Sequence, residues 1–519
     1  MLEPAPAFAD RYNAAEDLLD RNLAPGRAAR VAYIDRDGAH TYAALAERSA
    51  RFATALRELG VEPEQRVALC LEDTVDFPAC FLGAIQAGVV PIPLNTRLTA
   101  KDYAYILADS RARALIVSAP LLDQFMSHLG AHPQLRAVVV AGDPSSAGQQ
   151  LDALLETAAP AQGFASTRRD EPCFWLYTSG TTGAPKGVVH LHGHLLATAE
   201  LYARPILGLT PDDVVFSAAK LFFAYGLGNA LTFPMAVGAT TVLLEGPPRP
   251  DRVGALLRRH RPTIFYGVPT LFGMLLAQDE QLPARGEHRL RLCTSAGEAL
   301  PPELLRRWRA RVGVDILDGI GTTEALHIFL SNRVGDIRPG STGRPVDGYE
   351  VRLVDEDDHV VAPGELGTLE VRGPSTALMY WNLRERTKAT FRGPWLRTGD
   401  KYHVDEDGYY HYGGRADDLL KVGGIYVSPF EVESALLQHE AVLESAVVGH
   451  ADHDGLIKPR AFVVLAPGAG PANDELARAL TQFVRDQLAP FKRPRWIDFV
   501  DELPKTATGK IQRYKLRDA

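Results

Sequence analysis

Apolar residues recur at helical spacing through HTYAALAERSARFATALRELG, residues 40–60, and the run stops at glycine. That pattern predicts an amphipathic helix. RVALCLED (66–73) follows as a short apolar run closed by charge, the mark of a buried strand. FPACFLGAIQAGVVPIPLN (77–95) reads as helix, glycine stop and strand, and RALIVSA (113–119) and LRAVVVAG (135–142) as two more strands. Strands alternating with helices predict a mostly parallel α/β sheet. A second series runs through DDVVFSAAKL, GATTVLLEG, PDRVGALLRRHRPTIFYGVP, LRLCTSAGEALPPELLRRWRARVG and DILDGIGTTE, between residues 212 and 324. Two layered α/β subdomains are therefore expected.

The texture changes between residues 340 and 415, where YEVRLVDEDDHVVAPGELGTLEVRG and DGYYHYGGR read as short alternating strands with glycine turns. They predict a small β subdomain. After GRADDLLKVGG the pattern restarts: SPFEVESALLQHEAVLESAVVGHADHDG reads as helix then strand, KPRAFVVLAP as strand, NDELARALTQFVRDQLAP as amphipathic helix. The expected fold class is thus α/β. A large N-terminal domain (1–416) holds the two α/β subdomains and the β subdomain, and a mobile C-terminal α+β domain spans 417–519. DPSSAGQQ and APGAGPAND are loops.

Composition narrows the function without naming it. The chain has 519 residues, 46% hydrophobic and 23% charged, with a net charge of −8. A broad basic surface for nucleic acid is not expected. Cys70, Cys80, Cys173 and Cys293 form no C-x-x-C pair, so buried free thiols in a reducing cytoplasm are expected. No basic n-region, apolar h-region or 18-residue apolar run is visible, so neither a secretory leader nor a membrane partner is expected. The oligomeric state is open, a homodimer being one option.

Five clusters carry candidate chemistry. YTSGTTGAPKG (177–187) follows the apolar FWLY, so it leaves a strand end, where α/β proteins bind ligands. Thr178, Ser179, Thr181 and Thr182 offer hydroxyls, Gly180 and Gly183 let backbone N–H groups face one anion, and Lys186 adds positive charge. It is not the common phosphate loop, in which lysine directly follows the second glycine. Here Lys186 follows Pro185, and Gly187 stands where a Mg²⁺-binding hydroxyl would be. GIGTTEALHIF (319–329) presents Thr323 and Glu324 after a glycine turn, read either as a Mg²⁺ ligand set or as a helix start with an acidic first turn. RTGD (397–400) puts Asp400 where a carboxylate could accept both hydroxyls of a ribose, or where a plain turn would suffice. GRADDLLKVGG offers Arg415, Asp417, Lys421, Gly423 and Gly424, and LPKTATGKIQR offers Lys510 in a basic stretch.

In this order, the five clusters resemble the adenylate-forming superfamily of acyl-CoA synthetases, nonribosomal adenylation domains and luciferases, over about residues 15–517. The resemblance implies a loop that escorts pyrophosphate out, a catalytic Lys510 beside Thr323 and Glu324, a ribose-binding Asp400, and Mg²⁺ on Glu324. It implies nucleotide contacts from Thr178, Ser179, Gly180, Thr181, Thr182, Gly183, Lys186, Ala296, Gly297, Glu298, Asp318, Gly319, Ile320, Asp400 and Arg415. Asp417 would be the hinge that exchanges Lys510 for the face carrying Lys421, Gly423 and Gly424 when coenzyme A attacks. The family usually places an aromatic residue where this chain has Ile320.

SAAKLFFAYGLGN, SAGEALP, LHIFLSN and KVGGIYVSPFEVE resemble benzoate-CoA ligases within that superfamily. The implied activity is ATP-dependent, AMP-forming ligation of benzoate, or of a 2-amino- or hydroxybenzoate, to coenzyme A. The candidate aryl-acid pocket is Phe223, Ala224, Tyr225, Gly226, Gly321, Ala325, His327 and Ile328, read equally as core. Ala325 stands where the resemblance expects methionine, which would open space beside the ring. His327 bonds the acid or is a structural histidine. An adenylation enzyme serving a carrier-protein thiol is the alternative, although no aspartate stands in FFAYGLGN to hold an α-amine. A non-catalytic nucleotide sensor would lack Lys510 or Glu324, and both are present. Tyr225 and Phe223 should block a long-chain tunnel. His190, His192 and His194 alternate in HLHGHL, but no carboxylate or cysteine accompanies them, which disfavours zinc.

Overall fold

The computed structural model describes residues 11–142, 149–178, 184–415, 418–422, 425–453, 456–505 and 511–517. Ser179, Gly180, Thr181, Thr182, Gly183, Asp417, Gly423, Gly424 and Lys510 lie outside these residues.

The helix expected over 40–60 starts at Tyr42, because Gly38–Thr41 pairs as a strand with Val31–Asp35 and Thr41 becomes the cap. The Thr41 hydroxyl accepts from the Ala44 amide at 3.2 Å, meeting one of the free donors of a helix start. The first expected sheet forms from Val90–Pro93, Arg66–Cys70, Ala114–Ser118, Ala137–Ala141 and Gln149–Gln150, in that spatial order and all parallel. Its residues alternate between two cores, as a two-residue side-chain period requires. Leu69, Ile116 and Val139 join Phe52, Phe77 and Phe81, while Cys70, Leu115, Val117 and Val140 join Tyr103, Phe125 and Trp175.

The second sheet has nine strands, with Val214–Ser217, Ile264–Gly267, Leu292–Ser295 and Ile316–Gly321 parallel at its centre. Val31–Asp35 joins it beside Thr240–Val242, with Tyr33 opposite Thr241. Local periodicity marks such a strand but cannot say which sheet takes it. Ile264, Tyr266, Leu292 and Leu317 face one core, and Phe265, Cys293 and Ile316 face another under Trp308. All four cysteines are free and buried, as expected.

A small three-stranded antiparallel sheet, Pro172–Thr178, Lys186–Leu191 and Met379–Tyr380, brackets the phosphate-loop motif, with Thr178 opposite Lys186. The expected β subdomain forms from Glu350–Val354, Gly367–Arg372, Trp395–Val404 and Tyr410–Arg415. From Leu420 onward the chain has its own cores. A sheet of Val442–Ala451, Ile457–Leu465 and Trp496–Phe499 carries helices Pro429–Leu436 and Asp474–Gln487 on one face. No helix among the described residues is long and apolar enough to cross a membrane.

Candidate active site

The central strands of the nine-stranded sheet end side by side, and their carboxyl ends form the floor of a cleft of about 1200 Å³. Such ends are where open α/β sheets bind ligands. Thr178, Lys186, Gly297, Glu298, Asp318, Gly319, Ile320, Gly321, Thr323, Glu324, Asp400 and Arg415 all line it. Residues far apart in sequence are thus gathered as the motifs implied. Ala296 is buried beneath the lining. Gly297 has φ +90°, a conformation suited to glycine.

Beyond its own backbone bond from the Leu326 amide to the Thr323 carbonyl at 3.1 Å, the turn Thr323–Ala325 is held by further hydrogen bonds. The Thr323 carbonyl accepts from His190 Nε2 at 2.8 Å, the Glu324 carbonyl from the Ala377 amide at 2.7 Å, and the Ala325 carbonyl from Ser375 Oγ at 2.7 Å. Thr322 Oγ1 accepts from the Ala325 amide at 3.0 Å. The Glu324 carboxylate accepts from the Tyr380 hydroxyl at 2.6 Å through Oε1. Lys186 places its ammonium 4.6 Å from the Tyr380 ring centre. Burial lowers the Lys186 pKa, and the nearby Glu324 carboxylate opposes that shift. Glu324 with the Thr178 and Thr323 hydroxyls is an all-oxygen set, which suits a hard cation such as Mg²⁺.

The Asp318 carboxyl is pushed well above the usual carboxylate range by burial, which the Leu300 and Gly319 amides and Ser295 oppose, and its Oδ1 has no hydrogen-bond partner among the described residues. A buried acceptor left open in a cleft calls for a donor from a ligand. Glu298 is already engaged: its Oε2 accepts from Thr270 N and Oγ1 at 3.2 and 2.8 Å, capping the helix Pro269–Ala277. Asp400 and Arg415 face each other across neighbouring antiparallel strands, with Nη1 3.2 Å from Oδ1. Arg415 also donates to the Thr398 carbonyl at 3.2 Å.

The far wall of the cleft comes from the C-terminal part. Ile511, Gln512 and Arg513, which follow Lys510 in sequence, line it together with Glu433 and Ser445. Arg513 is tied to Glu433 at 2.7 Å, and Glu433 also accepts from the Val447 amide. Lys505 bridges Ile511, and Gln512 N donates to Pro504 O at 2.7 Å. Lys421 lies on the strand Leu420–Val422.

The candidate acid pocket is placed differently. Phe223, Ala224, Tyr225 and Gly321 are half-buried, whereas Gly226, Ala325, His327 and Ile328 are buried. Among these, Gly321 alone lines the cleft. Tyr225 shares a hydrogen bond with Thr294 Oγ1 at 2.6 Å. His327 sits among Tyr202, Tyr225 and Phe233, with Nε2 3.3 Å from the Tyr225 carbonyl. Burial lowers its pKa to about 3. Ala325 is fully buried in the same core and does not line the cleft. A Cβ on Gly228 would come within 2.4 Å of the His327 ring, so glycine is what lets that ring fit.

Two residues of this neighbourhood were not legible as site residues. Tyr380 belongs to no recognised motif. His190 reads as part of a doubtful metal triplet. Its Nδ1 lies 3.1 Å from His194 Nδ1, while His192 Nδ1 accepts from the Ala14 amide at 3.2 Å. The alternation in HLHGHL therefore serves backbone and neighbouring rings, and no cluster of metal-binding side chains occurs among the described residues.

The AMP-binding enzyme family model matches residues 21–381, and that of the AMP-binding enzyme C-terminal domain matches residues 431–510. The chain belongs to this family. It is 59% identical to a benzoate–CoA ligase of Thauera aromatica, over 99% of this chain and 98% of that protein. Its fold matches the crystal structure of a benzoate CoA ligase from Burkholderia xenovorans with TM-score 0.92 and 54% identity, covering 98% of this chain and all (100%) of that one. An anthranilate CoA ligase crystallised with anthranoyl-AMP matches with TM-score 0.95 and 44% identity, over 99% of this chain and 98% of that one. The adenylate-forming resemblance read from the motifs is borne out.

Proposed function

We propose that this protein is an ATP-dependent, AMP-forming aryl-CoA ligase whose preferred acid is benzoate. The observation that carries the adenylation chemistry is the meeting, in one cleft, of Thr178, Lys186, Glu324, Asp400 and Arg415. The 59% identity to a benzoate–CoA ligase supports the acid and the acceptor thiol. The packing of Ala325 in the aromatic core supports an unsubstituted ring.

In this reading the benzoate carboxylate attacks the α-phosphorus of ATP, forming benzoyl-AMP and releasing pyrophosphate. Two anions must meet, so catalysis is chiefly positioning and charge stabilisation. Lys186 and the hydroxyl-rich loop around it hold the leaving phosphates, Asp400 the ribose and Asp318 the adenine amine. Lys510 offsets charge in the transition state. Mg²⁺ on Glu324 would neutralise phosphate charge when bound. A turn about Asp417 then brings Lys421 and the glycines after it to the adenylate, and the coenzyme A thiolate displaces AMP.

The test is AMP formation with coenzyme A against benzoate, 2-aminobenzoate, 2- and 4-hydroxybenzoate, phenylacetate, cinnamate and octanoate. Benzoate is expected to give the highest kcat/KM. A substituted benzoate in first place would overturn the acid assignment, and inactivity with every benzoate would overturn the aryl reading.

A further inference from the structure

We infer that His190 is a positioning residue for adenylation: it fixes the Thr323–Glu324 turn against the hairpin that carries the phosphate-loop motif. The inference rests on the reading of Glu324 as the residue that organises the nucleotide phosphates.

Three successive carbonyls, those of Thr323, Glu324 and Ala325, are each held by a separate donor. Ala377 and Ser375 supply two of them from the chain just ahead of the strand Met379–Tyr380. His190 supplies the third from Lys186–Leu191, the strand that leads directly out of the loop motif. It is thus the direct side-chain tie, among these three, between the loop's own strand and the turn. The tie matters because the turn is strained. Leu326, which follows it, has φ +67° and ψ −45° without being glycine, a conformation that persists only where its surroundings over-determine it.

The ring of His190 has little freedom of its own. It is fully buried, stacked on Phe174 at 5.1 Å and 15°, and edge-on to His194 at 5.4 Å. A carbonyl only accepts, so Nε2 carries the proton. His194 Nδ1 accepts from the Leu191 amide at 3.3 Å and lies 3.1 Å from His190 Nδ1, so the second ring is itself held by the backbone beside the first.

The experiment separates the two half-reactions in His190→Leu, His190→Gln and His190→Asn, with Glu324→Gln alongside. Adenylation is followed by benzoate-dependent pyrophosphate–ATP exchange, and thioester formation by reaction of preformed benzoyl-AMP with coenzyme A. His190→Leu should lose about 10²-fold in kcat/KM for ATP in the exchange, the scale of a small misplacement of a reacting group, while thioester formation stays unchanged. His190→Gln carries an amide that reaches the position of Nε2 and should recover most of the loss; His190→Asn, whose amide stops short, should not. Equal exchange rates for Gln and Asn, wild-type exchange in His190→Leu, or equal losses in both half-reactions would overturn the inference. Should His190→Leu fail to fold, the Gln and Asn pair decides alone. Normal exchange in Glu324→Gln would instead overturn the reading of Glu324 on which the inference rests.

Discussion

The motif-lined side of the cleft, proposed for the nucleotide, and the aromatic core behind it, proposed for the acid, are built on opposite principles. On the side proposed for the nucleotide, polar groups stand in registers set by backbone ladders or on a held turn: Thr178 opposite Lys186, Asp400 opposite Arg415, Glu324 on a turn with three held carbonyls. In the core proposed for the acid, Tyr225, His327 and Ile328 take their positions from packed aromatic side chains, and Ala325 is buried among them. A phosphate needs charge and N–H groups at fixed places, which short motifs can encode. An apolar ring needs a shape, and shape is the sum of many side-chain volumes.

The widest gap between the two sides should come from Lys510→Ala. Loss of that charge is expected to cost on the order of 10²–10³ in adenylation rate, while KM for benzoate changes little and thioester formation from preformed benzoyl-AMP survives. A large rise in KM for benzoate alone would put Lys510 on the acid side and break the comparison. Asp73→Asn tests the bolt between the two α/β subdomains. Lys220 Nζ lies 3.0 Å from the buried Asp73 carboxylate, immediately ahead of the acid-side segment. Leaving that buried ammonium without a counter-charge, with only the Leu244 carbonyl still accepting from it, should cost about 3–5 kcal/mol of stability, read as a fall in Tm and in chemical-denaturation midpoint. An unchanged Tm would show the pair to be dispensable.

Asp400→Asn should act on the nucleotide side alone. It replaces a charge-assisted bond by a neutral one, a loss of about 1.5–3 kcal/mol, expected as a rise in KM for ATP with KM for benzoate unaffected. Thr294→Val is its smaller mirror image. It removes the partner of the Tyr225 hydroxyl, a loss of about 1 kcal/mol, and should raise KM for benzoate several-fold at constant KM for ATP. If either variant moved both constants equally, the two sides would not be separable.

A last effect is on pH dependence. Burial lowers His190 and His192 to about 4 and His327 to about 3, with His194 also well down. In the unfolded chain these groups take up protons near pH 6.5, so between about pH 6.5 and 4 the unfolded state binds more of them. Their contribution to stability is whole above that window and lost as pH falls through it. Tm should decline across it, and less steeply in His192→Gln; an identical slope in the variant would remove His192 from the account.

Much of the candidate site was legible in the sequence because its polar residues come in short runs of glycine, hydroxyl and charge, most of them beside strand ends that local periodicity marks. Thr178, Lys186, Glu324, Asp400 and Arg415 needed no tertiary knowledge to be singled out. Tyr380 and His190 did, since nothing local distinguishes a tyrosine that grips Glu324, or a histidine that grips the Thr323 carbonyl, from any other buried polar residue. Ala325 shows the converse: the resemblance suggested space where packing leaves none.

The sequence by itself determined the α/β class, the family, the order of the nucleotide motifs and the free cysteines, because these rest on period, spacing and residue chemistry. The tertiary structure alone decided which sheet takes Val31–Asp35, which side chains reach the cleft, and what holds the Thr323–Ala325 turn. Those depend on contacts between residues far apart in the chain, and a local pattern carries no information about the partner it will meet.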